Sequence, residues 1–114
     1  MSVKLTTRQV GDVGVMDATG RITLGEGAST FRETVREMVT KGQKKLLLNL
    51  ADVTYIDSSG IGELVSGFTT VTNNGGQLKL LHLTKRVRDL LQITKLYTVF
   101  EVFEDEAEAI RSFS

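Results

Sequence analysis

Apolar and polar residues alternate weakly over residues 3–10, with Val3 and Leu5 on one face, and residues 13–19 form a second apolar run after Gly11-Asp12. Two such runs around a Gly-Asp pair predict a β-hairpin. Residues 20–27 are punctuated by glycine and predict a loop. Over 28–41 the period changes. Phe31, Val35, Met38 and Val39 recur at helical spacing, Arg32, Glu33, Arg36 and Glu37 take the opposite face, and Lys41-Gly42 marks an end. Residues 45–50 are almost continuously apolar, the pattern of a strand covered on both faces. A second amphipathic helix is predicted from Ser58 to Thr72, stopped by Asn73-Asn74-Gly75-Gly76. Residues 77–82 predict a strand, 84–92 a short helix with Thr84 as N-cap, 99–103 a last strand and 104–113 a closing helix with an acidic first turn. The order β-β-α-β-α-β-α-β-α predicts an α/β fold, with a mixed, mostly parallel sheet, an N-terminal β-hairpin and β-α repeats.

Composition narrows the function. The 114 residues suit one domain, 1–114, with a core that needs no covalent staples. Lys+Arg and Asp+Glu are both 14, which argues against a nucleic-acid partner, whose recognition leans on a basic footprint. There is no cysteine, so disulfides and thiolate metal sites are excluded. The start of the chain carries no apolar stretch of signal-peptide length, and no run approaches the roughly 20 residues that span a bilayer. A cytoplasmic protein without direct membrane insertion is expected.

Candidate chemistry gathers where the strand from 45 meets the helix from 58. On a helical wheel of roughly 100° per residue, Ile61, Leu64, Val65, Phe68 and Val71 share one arc. Ser59 falls nearly opposite, among Glu63, Ser66 and Thr70, and Ser58 at the border of the apolar face. The wheel therefore predicts an outward Ser59 and a Ser58 lying partly against the scaffold. Gly60 and Gly62, each costing about 1 kcal/mol inside a helix, would leave the backbone around Ser59 bare to an approaching partner. An anion there would meet free N–H groups and the positive end of the helix dipole. A plainer reading stands beside this one. Asp57 or Ser58 serves only as an N-cap worth about 1 kcal/mol, and the glycines only make a tight entry into the helix.

At this turn the chain resembles the STAS domain family, named for sulfate transporters and anti-sigma factor antagonists. The specific stretch is Leu48-Asn49-Leu50-Ala51-Asp52-Val53-Thr54-Tyr55-Ile56-Asp57-Ser58-Ser59-Gly60-Ile61-Gly62. Supporting stretches are Gly75 to Leu80, Val87 to Leu91 and Thr94-Lys95-Leu96. The resemblance implies a stand-alone anti-sigma factor antagonist without catalytic activity, cofactor or metal. It implies a partner that is both anti-sigma factor and serine kinase, and a serine phosphatase that resets the switch. It places phosphorylation on Ser59, with Ser58 the second choice, and the partner surface on Asp57, Ser58, Ser59, Gly60, Ile61, Gly62, Glu63 and Thr23. The charge added at Ser59, close to Asp57 and Glu63, is expected to break the interface by repulsion rather than refolding. Many members carry an acidic residue where this chain has Thr23, after Gly20-Arg21-Ile22. Alternatives are a STAS subunit of a membrane-associated transport or stress-signalling complex and a nucleotide-binding STAS module.

Other signals are weaker. His82, the only histidine, could complete a triad with Asp57 and Ser59, but the Gly-x-Ser-x-Gly elbow is missing. The glycines at 25 and 27 and at 60 and 62 each fail the dinucleotide pattern at its third glycine. Lys85-Arg86-Val87-Arg88 reads first as a solvated helix face and second as a contact for an acidic partner.

Overall fold

The computed structural model describes residues 3–113. In chain order these form β1 (Val3–Val10), β2 (Val13–Ile22), α1 (Glu26–Thr40), β3 (Lys45–Ile56) and α2 (Ser58–Asn73). They continue with β4 (Gln77–Leu81), α3 (Lys85–Ile93), a single 3-10 turn (Leu96–Thr98), β5 (Val102–Phe103) and α4 (Glu106–Ser112). The five strands make one sheet in sequential order, with β1 antiparallel to β2 and every other neighbour parallel. The expected α/β order and the hairpin are both present. Val10 stands opposite Val13, so Gly11-Asp12 is a two-residue turn, and Gly11 takes the positive φ of 61° that such a turn requires.

The run from Leu46 to Leu50 explains the layering. Leu46, Leu48 and Leu50 pack on one face of the sheet with Phe31 and Val35 of α1, Leu64 and Val71 of α2 and Val87 and Leu91 of α3. Leu47 faces the other way and joins Val13, Val15 and Leu81 beneath Ala109 and Phe113 at the C-terminal end. A strand buried on both faces needs no polar alternation.

Several boundaries differ from the sequence reading. The glycine pattern over residues 20–27 predicts a loop, but β2 keeps pairing with β3 as far as Ile22 and α1 starts at Glu26. β3 continues six residues beyond Leu50, because shifts in its pairing with β2 after Asp17 and after Gly20 let Val53 and Ile56 return to the core face although they are three apart. β5 is two residues rather than five. Phe100 leaves the strand path and buries itself against Phe68, with ring centroids 5.4 Å apart and planes at 77°. α4 starts at Glu106, with Asp105 as its cap accepting the Glu108 N–H at 2.9 Å.

The start of α3 and the end of α2 both follow the sequence pattern. Thr84 accepts the Val87 N–H at 3.3 Å. At the end of α2, Gly75 (φ 80°) and Gly76 return their N–H groups to Thr72 and Val71, closing the helix as the Asn-Asn-Gly-Gly sequence predicts.

Candidate functional site

β3 passes into α2 with no intervening loop. Ile56 ends the strand, Asp57 is the N-cap in an extended conformation, and Ser58 is the first helical residue. Asp57 Oδ1 accepts the Gly60 N–H at 2.9 Å, satisfying one of the unpaired donors of the first turn. Its Oδ2 accepts the N–H of Leu24 at 3.4 Å, in the short connection between β2 and α1. The Asp57 N–H donates to the carbonyl of Ile22 at 3.4 Å. One residue therefore fixes the start of α2, the end of β2 and the connection that follows it. Of the two capping alternatives, Asp57 is the cap.

The exposure of the serines is the reverse of the wheel's expectation. Ser58 is exposed and Ser59 half-buried. A wheel accounts for one helix alone, whereas the connection tethered to Asp57 lies beside the same turn. Ser58, in the first turn, sits at the positive end of the helix dipole, and that turn contains no acidic side chain.

The two glycines differ in their reasons. A Cβ on Gly60 would stand 2.2 Å from the carbonyl oxygen of Ile22 and 2.6 Å from Ile56 Cγ1, so packing demands glycine there. A Cβ on Gly62 would meet nothing within 4 Å, and Gly62 is exposed. The bare backbone expected around the serines is thus open at Gly62 and buried at Gly60.

The remaining predicted site residues divide the same way. Ile61 is 5% exposed and belongs to the core, so it offers a partner no surface. Glu63 is not a free charge. Its carboxylate accepts from Arg32 Nη2 at 3.0 Å and Nε at 3.3 Å, linking α2 to α1, and that hydrogen bond strengthens the protonated guanidinium of Arg32. Asp57 is left as the acid nearest the serines. Thr23 is half-buried, and its carbonyl accepts the Ala28 N–H at 3.0 Å where α1 begins. His82 makes no side-chain hydrogen bond to Asp57 or to either serine among the described residues, and both Asp57 oxygens are held by backbone amides. The triad reading fails on that geometry.

Sequence reasoning missed Leu24. It is 79% exposed, the highest among large apolar residues described, and it stands beside the turn with its backbone held by Asp57. The available signal was a lone large apolar residue between Thr23 and Gly25 with no periodic partner. The outward surface of the site is therefore Ser58, Gly62 and Leu24, with Asp57 and Ser59 set back between them.

Comparison with known proteins places this geometry. The STAS domain pattern matches residues 4–109. An anti-sigma-B factor antagonist from Bacillus subtilis is 36% identical over 75 residues, covering 66% of this chain and 68% of that one. A crystal structure of a Thermotoga maritima protein described as a candidate anti-sigma factor antagonist superimposes with a TM-score of 0.88 at 26% identity, covering 96% of this chain and 93% of that one. The Bacillus cell-fate determinant SpoIIAA in its phosphorylated form shares the fold, with a TM-score of 0.75 at 19% identity over 96% of this chain and 98% of that one. No described helix is long and apolar enough to cross a membrane.

Proposed function

The chain belongs to the STAS domain family, and from that premise we propose that it is an anti-sigma factor antagonist switched at the start of α2. In the unmodified state it binds an anti-sigma factor through the surface formed by Ser58, Gly62 and Leu24, and so releases a sigma factor. The partner's serine-kinase activity then adds a phosphate at the Ser58–Ser59 pair, binding is lost, and a serine phosphatase restores it. The observation that carries this reading is an exposed hydroxyl at the first position of a helix whose cap and approach are already built. The name of the Bacillus subtilis relative supports the partner class.

Exposure favours Ser58 over Ser59 as the acceptor, because a kinase must bring the hydroxyl oxygen in line with a transferring phosphoryl group. A phosphate adds between one and a half and two negative charges. At a helix N-terminus these meet N–H donors and a favourable dipole, so the fold is kept. Beside the Asp57 carboxylate they make the surface anionic and bulky, so the interface is lost. Glu63 takes little part in that repulsion because Arg32 neutralises it.

The test is site mapping by intact mass and fragmentation after incubation with the anti-sigma kinase and ATP. Ser58→Ala should abolish the added phosphate, and Ser59→Ala should leave it. The opposite pattern would return the acceptor to Ser59 and leave the switch standing. A Ser58→Glu protein with unchanged circular dichroism should lose anti-sigma factor binding. If both Ser58→Glu and Ser59→Glu bind as the wild type does, the switch reading is wrong.

A further inference from the structure

Arg21 and Arg86 converge on one aromatic ring. The guanidinium carbon of Arg21 lies 5.0 Å from the centroid of Tyr55 and that of Arg86 lies 4.6 Å from it. Three elements bring them there. Arg21 is at the end of β2, in register with Tyr55 near the end of β3, and Arg86 is in the first turn of α3. The two cations lie at most about 10 Å apart, close to the Debye length of about 8 Å at physiological salt, so one acidic segment can reach both.

Among the described residues, no ion pair offsets them. Neither arginine takes part in an ion pair or a side-chain hydrogen bond among the described residues, whereas Lys85 and Arg88 on the same helix as Arg86 are both ion-paired. Asp89, one turn along α3 from Arg86, is engaged by Lys85 at 2.8 Å. Glu104 is engaged by Arg88 at 3.4 Å. Asp57, two residues after Tyr55, is held by backbone amides. Both guanidiniums are on exposed residues, and each keeps up to five N–H donors in a planar fork. The cation–π contacts with Tyr55 hold both guanidiniums at the ring without occupying those donors.

We infer that Arg21, Tyr55 and Arg86 form a preorganised recognition site for carboxylates of an acidic segment on the protein partner. Side-chain carboxylates accept bidentate hydrogen bonds from guanidinium forks, and two forks suit two acidic side chains in one peptide. The inference uses the proposed function only in assigning that segment to a protein partner. The site lies at the same end of the sheet as Ser58, since β2 and β3 both run out there. A partner seated on Ser58 and Leu24 would be oriented by the second contact.

Titration of protein carrying 15N-labelled arginine with hexaglutamate tests the site without any partner. The Nε–Hε signals of Arg21 and Arg86 should shift saturably, with the Tyr55 ring signals following, and hexalysine should move neither. Arg21→Gln and Arg86→Gln, both on exposed residues, should each weaken the half-saturation concentration at least five-fold while leaving circular dichroism unchanged. Inorganic phosphate and vesicles of equal parts phosphatidylglycerol and phosphatidylcholine are the competing probes. A response to either that is stronger than to hexaglutamate overturns the peptide assignment, and no saturable shift with any probe overturns the site. Either failure leaves the Ser58 switch untouched, because the kinase and phosphomimetic experiments do not involve these arginines.

Discussion

Replacing Gly60 and Gly62 one at a time by alanine should move stability in opposite directions. At Gly60 the new methyl would stand 2.2 Å from the Ile22 carbonyl oxygen and 2.6 Å from Ile56 Cγ1. Comfortable carbon contacts lie near 3.5–4.0 Å, so α2 must lift by about 1 Å at its first turn. That lift strains the Asp57 cap, worth about 1 kcal/mol. It also disturbs the packing of Ile61 and Leu64, where overpacking costs about 1–3 kcal/mol. Alanine's better helix propensity returns at most about 1 kcal/mol. The net expectation is a loss of about 1–4 kcal/mol. At Gly62 nothing lies within 4 Å, so only the propensity gain remains, up to about 1 kcal/mol of stabilisation. Urea unfolding followed by far-ultraviolet circular dichroism would separate the two variants by about 1–3 M in midpoint at an unchanged slope. Anti-sigma factor binding should fall in the stabilised Gly62→Ala protein, because its methyl stands on the open surface beside Ser58. Equal midpoints for the two variants, or a Gly60→Ala midpoint at the wild-type value, would refute the packing argument.

Three further outcomes are expected. Arg8 holds Asp17 and Glu106 at 2.6 Å each, and hydrogen bonding from Arg8 keeps both carboxylates below their ordinary range. Depressed carboxylates add stability above their unfolded values and lose it as pH falls through the folded ones, so the melting-temperature gap between wild type and Arg8→Gln should shrink from pH 7 to pH 3; a constant gap would contradict this. Lys79, 6% exposed, donates to the carbonyl and hydroxyl of Ser112 at 3.1 and 3.0 Å and lies 4.6 Å from the Phe113 ring, so Lys79→Ala should cost about 2 kcal/mol and speed hydrogen exchange in α4 before α2. Lys95 follows the Thr94 C-cap of α3 in the left-handed region with φ 62°, and Lys95→Gly should raise stability by about 1 kcal/mol in the same urea assay.

What the sequence disclosed was local. The Leu46–Leu50 run, the Gly11-Asp12 turn, the Thr84 cap and the Gly75-Gly76 stop each depend on neighbours a few residues away, and each stands where the pattern puts it. The turn at Asp57 was legible for the same reason. The second half of β3 was not, because exposed Ala51, Asp52 and Thr54 mask a strand whose phase is reset by β2. The burial of Ile61 agrees with its place on the apolar arc and not with the partner surface that the resemblance implies, whereas the exposure of Ser58 over Ser59 and the Arg32 partner of Glu63 depend on what packs against α2 from α1 and the connection before it. Arg21, Tyr55 and Arg86 meet only after the sheet has aligned two strands and a third element has crossed over them.

The tether from Asp57 to residue 24 runs to a backbone N–H, not to a side chain. Any residue except proline supplies that donor. Position 24 is thus held at a fixed place beside the turn while its chemistry is free to be rewritten. Paralogous chains could exchange leucine for an acid, a base or an aromatic ring here and address different partners without rebuilding the fold. Under the proposed function, the connection is an interchangeable label on a constant mount.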